Sequence, residues 1–201
     1  MRFSILNGPQ SKFGDKELAE LAKCGHLEKL NLEHTEVTDA GLVKLNAHPT
    51  PREIGLVGRP FTDKGLASLK ALPELRGLNV AGTRITAAGL NQLQNVNNLS
   101  LLYAHDGKIS NDVTDLLKRT PNLHKVSFWR SDITTDILPT LADMKSLGLI
   151  GLSFTKIKPE DCHILKSLPN LRTLELTKEN ATPEEVQKLQ DAIPWCDVVL
   201  K

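Results

Sequence analysis

Apolar residues recur along this chain on two superimposed rhythms. The short one is strict alternation: Leu30 and Leu32 flank Asn31, Leu78 and Val80 flank Asn79, and Leu174 and Leu176 flank Glu175. Period two predicts a short strand with one buried face. The long rhythm is a 24-residue unit, in which Leu75, Leu78, Val80, Thr83, Ile85, Thr86, Gly89, Leu90 and Leu93 repeat the chemistry of Leu27, Leu30, Leu32, Thr35, Val37, Thr38, Gly41, Leu42 and Leu45. The unit fits eight times without an insertion, from Phe3 to Pro194. A fixed period of this length with an L-x-x-L-x-L core predicts stacked coils, each a strand followed by a helix and touching only its neighbours. We therefore expect one elongated domain over residues 1–201, with eight repeats across 3–194 and a closing strand over 195–201.

The remaining slots of the unit predict how each coil turns. A hydroxyl follows the strand in five units, at Ser11, Thr35, Thr83, Ser131 and Thr155, where it can satisfy backbone groups outside a ladder. An inward apolar residue comes next, from Phe13 and Val37 to Ile157. Thr38, Thr62, Thr86, Ser110, Thr134 and Thr182 then occupy a helix N-cap slot. Thr182-Pro183-Glu184-Glu185 is the fullest signal, a capping box with proline at the first helical position. Gly41, Gly65 and Gly89 inside the short helices predict close packing of one helix against the next, where a side chain would not fit. Pro49, Pro73, Pro121 and Pro169 end the helices.

In these slots the chain resembles the leucine-rich-repeat proteins of the ribonuclease-inhibitor-like superfamily, in the bacterial variety with a T-x-[VI]-T-D-x-G-L signature. Thr35 to Leu42 carry the signature, and Thr83 to Leu90 carry it with Ala87 in the aspartate slot. The ending Ala192-Ile193-Pro194-Trp195-Cys196-Asp197-Val198 is similar to that group's closing segment. The resemblance implies an α/β fold: a right-handed solenoid with parallel strands on the concave face and short helices on the convex face. It also implies macromolecular recognition, with no shared catalytic residues. Several positions depart from the pattern. Gly8 and Pro9 interrupt the first strand, which reads as a degenerate cap, and Arg59, Gly107 and Glu179 replace the turn hydroxyl.

Charge and composition narrow the partners. With 25 Lys and Arg against 24 Asp and Glu, the chain lacks the excess positive charge of a nucleic-acid or anionic-membrane binder. The three cysteines, Cys24, Cys162 and Cys196, form neither a C-x-x-C pair nor zinc spacing, which points to a reduced compartment and so to the cytoplasm. The six histidines are scattered and assemble no metal site, and no phosphate loop or nucleophile elbow is present, so we expect no cofactor and no enzyme. Cys162 occupies an inward leucine slot; a small buried hydrophobe is the simple reading and a reactive thiol the sharp one.

The outward strand slots carry the functional signal. In the first four units they hold residues such as Lys29, Asn31, Glu53, Arg76 and Asn79, an ordinary solvated face. In the fifth to seventh they hold Leu101, Tyr103 and His105, then Lys125, Ser127, Trp129 and Arg130, then Leu149, Ser153 and Phe154. Aromatics with arginine on an exposed face have the composition of an interface hot spot. We expect a protein or peptide partner across Leu101, Tyr103, His105, Lys125, Ser127, Trp129, Arg130 and Phe154, on a protein that is monomeric or weakly self-associating. Two other readings stand beside this one. Trp129 and Tyr103 could merely pack across neighbouring strands, and the array could self-associate through its open sheet edges. Trp195, in the turn after the last helix, is expected to cover the final coil.

Overall fold

The computed structural model describes residues 3–5, 12–23, 27–47, 51–58, 60–69 and 73–201. The expectations for Gly8, Pro9, Ser11, Cys24, Pro49 and Arg59 lie outside the described residues, as do His26 and His48. Strands β1 (Phe3–Ile5), β2 (Leu27–Asn31), β3 (Glu53–Gly55), β4 (Gly77–Asn79), β5 (Leu101–Tyr103), β6 (Lys125–Ser127), β7 (Leu149–Gly151), β8 (Thr173–Leu176) and β9 (Asp197–Leu200) form one parallel sheet in chain order. From β2 onward each residue pairs with the one 24 positions later, as in Leu30 with Ile54 and Leu78 with Leu102. The repeat length is thus the ladder register itself. Only the first pair slips, between Phe3 and Ser4.

The core is a thread of inward side chains running the length of the stack. In one central coil Leu75, Leu78, Val80, Ile85, Leu90 and Leu93 are each no more than 2% exposed. Burial of a side chain of this size contributes about 1.5–3 kcal/mol, so each coil is held by its own leucines and by the neighbours that cover them. The turn hydroxyls act as expected. Thr35, Thr83, Ser131 and Thr155 donate to the carbonyls of Leu32, Val80, Phe128 and Leu152 at 2.6–2.7 Å. Thr35 and Thr83 also accept from the amides of Val37 and Ile85, which lock the inward residue.

Opposite the strands lie short helical segments: α1 (Asp15–Leu21), α2 (Asp39–Leu42), α3 (Asp63–Ala67), α4 (Ala87–Asn91), α5 (Thr114–Leu117), α6 (Leu138–Asp143) and α7 (Pro183–Ala192). The seventh coil has instead a 3₁₀ stretch over Pro159–Ser167. Its buried pair, Cys162 and Leu165, is three residues apart, which suits a helix with three residues per turn. Thr38, Thr62 and Thr86 cap their helices, and Thr182 forms the capping box with Glu185. Ser110 and Thr134 do not cap. Thr134 instead accepts from the Asn111 side-chain amide, which takes the place of a helix N–H, while Ser110 donates to the Asp112 carboxylate.

The glycines reveal a seam between coils. The Asp39 carboxylate accepts from the Thr62 amide at 3.0 Å and from the Thr62 hydroxyl at 2.6 Å. Asp15 serves Thr38 and Asp63 serves Thr86 in the same way. A Cβ at Gly41, Gly65 or Gly89 would overlap the carboxylate of Asp15, Asp39 or Asp63, respectively. These glycines therefore admit a side chain of the preceding coil rather than a neighbouring helix backbone, as the sequence pattern had implied. Where Ala87 replaces the aspartate, Val113 stands in the matching glycine slot.

Candidate functional site: the strand face of the fifth to eighth coils

Register fixes what lies side by side on the strand face. Leu101, Lys125, Leu149 and Thr173 form one row, and Tyr103, Ser127, Gly151 and Glu175 form the next. One residue pair beyond the strands, His105 and Trp129 continue the outward direction. The second to seventh coils then each place a residue at positive φ: His34, Gly58, Gly82, Asp106, Arg130 and Phe154, spaced by 24 and with φ between 52° and 67°. Arg130 and Phe154 therefore do not sit in outward strand slots, as the alternation predicted. They sit in a left-handed turn that lays their side chains over the strand-face aromatics. His34 belongs to this turn series too, one position past the series of His105.

The side chains make a continuous cluster. Tyr103 and His105 have ring centroids 5.4 Å apart, His105 and Trp129 5.8 Å, and Trp129 and Phe154 5.5 Å, the last two edge to face. The Arg130 guanidinium lies 4.6 Å from the Trp129 centroid and 5.5 Å from that of Phe154, and it donates to Asp106 at 3.2 Å. Phe154 is 38% exposed and Trp129 half-buried. Leu101, Tyr103 and His105 are also half-buried, while Lys125 and Arg130 are exposed. Ser127 is only 3% exposed and forms the floor of the patch rather than part of its outer surface.

Magnitudes distinguish stability from display. A non-glycine residue in the left-handed region costs roughly 1–2 kcal/mol, and Arg130 and Phe154 both bear this cost. Edge-to-face pairs return about 0.5–1.5 kcal/mol each, and an exposed cation–π contact about 0.5–1. The cluster thus roughly offsets its own backbone strain. In the same slot Gly58 and Gly82 make the turn with no side chain at all. The turn itself is secured by cross-coil bonds: the Asp106 amide donates to Trp129 O and the Arg130 amide to Ser153 O, both at 3.0 Å, while the Phe154 amide donates to Thr177 Oγ1.

His105 carries the unusual polar atom of the patch. Its Nε2 is buried without a hydrogen-bond partner. Burial holds its pKa below the ordinary 6.5, against the opposing pull of the Asp106 and Glu175 carboxylates. The ring is therefore neutral at pH 7. Glu175 was not singled out by sequence. It stands two strands from Ser127 across Gly151, and a side chain at Gly151 would collide with the Ser127 hydroxyl. The periodic arithmetic that pairs Gly151 with Glu175 was the available signal.

Toward the first coils the face opens into a groove of about 500 Å³, lined by Asn31, Gly55, Arg76, Gly77, Leu101 and Tyr103 among others. It exists because Gly55 and Gly77 bring no side chain to the rows that hold Asn31, Asn79, Glu53 and Leu101. Elsewhere, Cys162 is fully covered and burial pushes its thiol up to about 12, so it is protonated and out of reach of a substrate. Cys196 is likewise buried, with its thiol raised to about 11. Among the described residues no three His, Cys, Asp or Glu side chains gather to hold a metal, and no helix is long and apolar enough to cross a membrane. Trp195 remains 42% exposed, so it only partly serves as the expected cover.

Known proteins fit this geometry. The family described as Leucine Rich repeat matches residues 23–45, about one repeat of the chain. No curated protein matches the sequence. Among solved structures the chain is similar to the plant peptide hormone receptor RGFR1 in complex with RGF2, with a TM-score of 0.60 and 11% identity. That match covers 91% of this chain and 29% of the receptor, so the likeness is one of fold. Matching solved chains number 241, which makes the architecture common and singles out no relative by function. Repeat, register and these matches together show an α/β solenoid of the leucine-rich-repeat fold.

Proposed function

We propose that the protein is a non-enzymatic recognition module that holds a protein or peptide partner on its concave strand face, centred on Trp129. One observation carries this reading. Arg130 and Phe154 occupy a strained turn slot that two other coils fill with glycine, and the strained backbone displays an arginine and a phenylalanine beside an indole. Strained backbone of this kind clusters at functional sites, and Trp, Tyr and Arg are the side chains that dominate interface energetics. Leu101, Tyr103, His105 and Lys125 border the contact, with Ser127 beneath them. Among the described residues Cys162 and Cys196 are buried free thiols, which is in keeping with a reducing compartment, and on that basis we propose the cytoplasm.

The test is capture of partners from native lysate on the wild type and on Trp129→Ala, followed by titration of what is captured. Trp129→Ala should weaken binding by more than about 1 kcal/mol, the usual threshold for an interface residue that matters, with the melting temperature nearly unchanged. Lys29→Ala, far along the same face, should change neither. Unfolding of Trp129→Ala with residual affinity intact would assign Trp129 to packing and end this reading.

A further inference from the structure

The ion pairs of the strand face are not balanced. Glu53 pairs with Lys29 at 2.7 Å, Asp106 with Arg130 at 3.2 Å, Glu175 with Lys201 at 3.7 Å and Glu28 with Arg52 at 4.0 Å. Glu33 lies 3.5 Å from His34. These acidic side chains thus each have a basic neighbour, although His34 balances Glu33 only when its imidazole is protonated. Arg76 and Lys125 are exposed and belong to no ion pair among the described residues. Arg172 is a third free cation, but its guanidinium already donates to the carbonyls of Pro169 and Leu171, and Asp197 follows it on β9. The net charge of only +1 on the whole chain conceals this local surplus.

Position gives the surplus a direction. Arg76 lines the glycine-floored groove, and Lys125 sits between Leu101 and Leu149, one row from Tyr103 and Ser127. Arg76 precedes β4 and Lys125 opens β6, two strands apart. With strands about 4.8 Å apart, the backbone positions that carry the two cations stand roughly 10 Å from each other. Beyond them, on the same side of the sheet, lies the apolar cluster of Trp129 and Phe154.

We infer that the partner segment is an acidic peptide that crosses the strands in an extended polyproline-like conformation. Its carboxylates, three residues apart, meet Arg76 and Lys125, and an apolar or aromatic side chain rests on Trp129 and Phe154. The inference rests on the reading of this face as a binding surface. The conformation follows from the sheet. Backbone groups of β2 to β8 are already consumed by ladders on both sides, so a crossing segment finds no strand to pair with. A polyproline II segment needs none, because its backbone stays solvated. It advances about 3.1 Å per residue with three residues per turn, which returns a side chain to the same face every 9 Å or so. That repeat matches the spacing of the two cations. Charge complementarity of this type chiefly sets association rate and selectivity.

Selection of a degenerate twelve-residue peptide library on the folded protein tests the inference. Wild type should enrich acidic residues at i and i+3 together with an aromatic or large aliphatic residue. A synthetic peptide from that pool should bind Lys125→Glu and Arg76→Glu about tenfold or more weakly, with unchanged melting temperatures. The Lys125→Glu selection should turn toward lysine and arginine. Enrichment of basic or uncharged peptides, or equal affinity of wild type and both reversals, would overturn it. So would failure to enrich any sequence, or a single-stranded oligonucleotide that outcompetes the acidic peptide. If Trp129→Ala abolishes binding while both charge reversals leave it intact, the binding face stands and the acidic partner does not.

Discussion

The seam between coils makes a prediction in which one substitution changes sign with its background. Gly65→Ala in the native protein should destabilise. Alanine favours the helix over glycine by about 0.8–1 kcal/mol, but its Cβ would overlap the Asp39 carboxylate. The carboxylate must then leave the Thr62 amide and hydroxyl, at 3.0 and 2.6 Å. Hydrogen bonds to a charged group contribute about 1.5–3 kcal/mol each, and these two are partly solvated. A loss of about 2–4 kcal/mol against a propensity gain of about 1 leaves Gly65→Ala roughly 1–3 kcal/mol less stable. Asp39→Ala alone should cost a similar 2–4 kcal/mol. In that background the carboxylate clash is gone, only the flexible end of Leu42 at 3.1 Å must give slightly, and Gly65→Ala should now stabilise by about 0.5–1 kcal/mol. Urea unfolding of the four proteins at constant m yields the cycle, and the coupling energy should be about 2–4 kcal/mol. The chain holds a natural version of the double variant in Ala87 and Val113, 26 positions apart as Asp39 and Gly65 are. Additive effects within about 0.5 kcal/mol would show that the glycine and the aspartate are independent, and would refute the seam.

Three further outcomes are expected. Leu78→Ala, at a fully buried position, should cost about 2–5 kcal/mol in the same unfolding assay, and a change within about 0.5 would mean the register is misassigned. His105 has a folded pKa below the unfolded 6.5, so the fold binds fewer protons than the open chain: its contribution is fully present above pH 6.5 and is lost as pH falls through the folded value. The NMR titration of His105 should show a midpoint below 6.5, and His105→Phe should flatten stability in that window. Cys162 and Cys196 should resist a maleimide in the native protein at pH 7 and react after unfolding, and rapid native labelling of Cys162 would reopen a thiol chemistry.

The fold was legible because its rules are local and repeated. Alternating leucines give the strand, the period gives the register, and both are hydrophobic patterns that sequence displays directly. The seam was legible only in part. Gly41, Gly65 and Gly89 announced close approach, but the approaching group was an aspartate two dozen residues away, visible only when the coils are stacked. Capping at Thr134 failed for a related reason: the Asn111 side-chain amide, one coil away, donates to that hydroxyl in place of a helix N–H. For the candidate site, the outward rows placed Tyr103, His105 and Trp129 together. The turn that carries Arg130 and Phe154 was hidden, since positive φ leaves a compositional trace only where glycine occupies it, at Gly58 and Gly82. Ser127 was misjudged by alternation alone, which says that a side chain points outward but not that tall neighbours cover it.

The left-handed slot also bears on how such a face can change over generations. Six successive coils make this turn, with His, Gly, Gly, Asp, Arg and Phe in the slot, so the turn accepts very different side chains. A Cβ on Gly58 would meet no atom within 4 Å, and one on Gly82 would come no nearer than 3.4 Å to the Gly58 backbone. Space is thus already available beside the first coils. A single codon change at either glycine would add a side chain in line with Asp106, Arg130 and Phe154, at a cost of roughly 1–2 kcal/mol in backbone strain, least for asparagine or aspartate. The slot works as a row of blank keys. A lineage can cut them one at a time and acquire new partners while the leucine core that keeps the protein folded stays untouched.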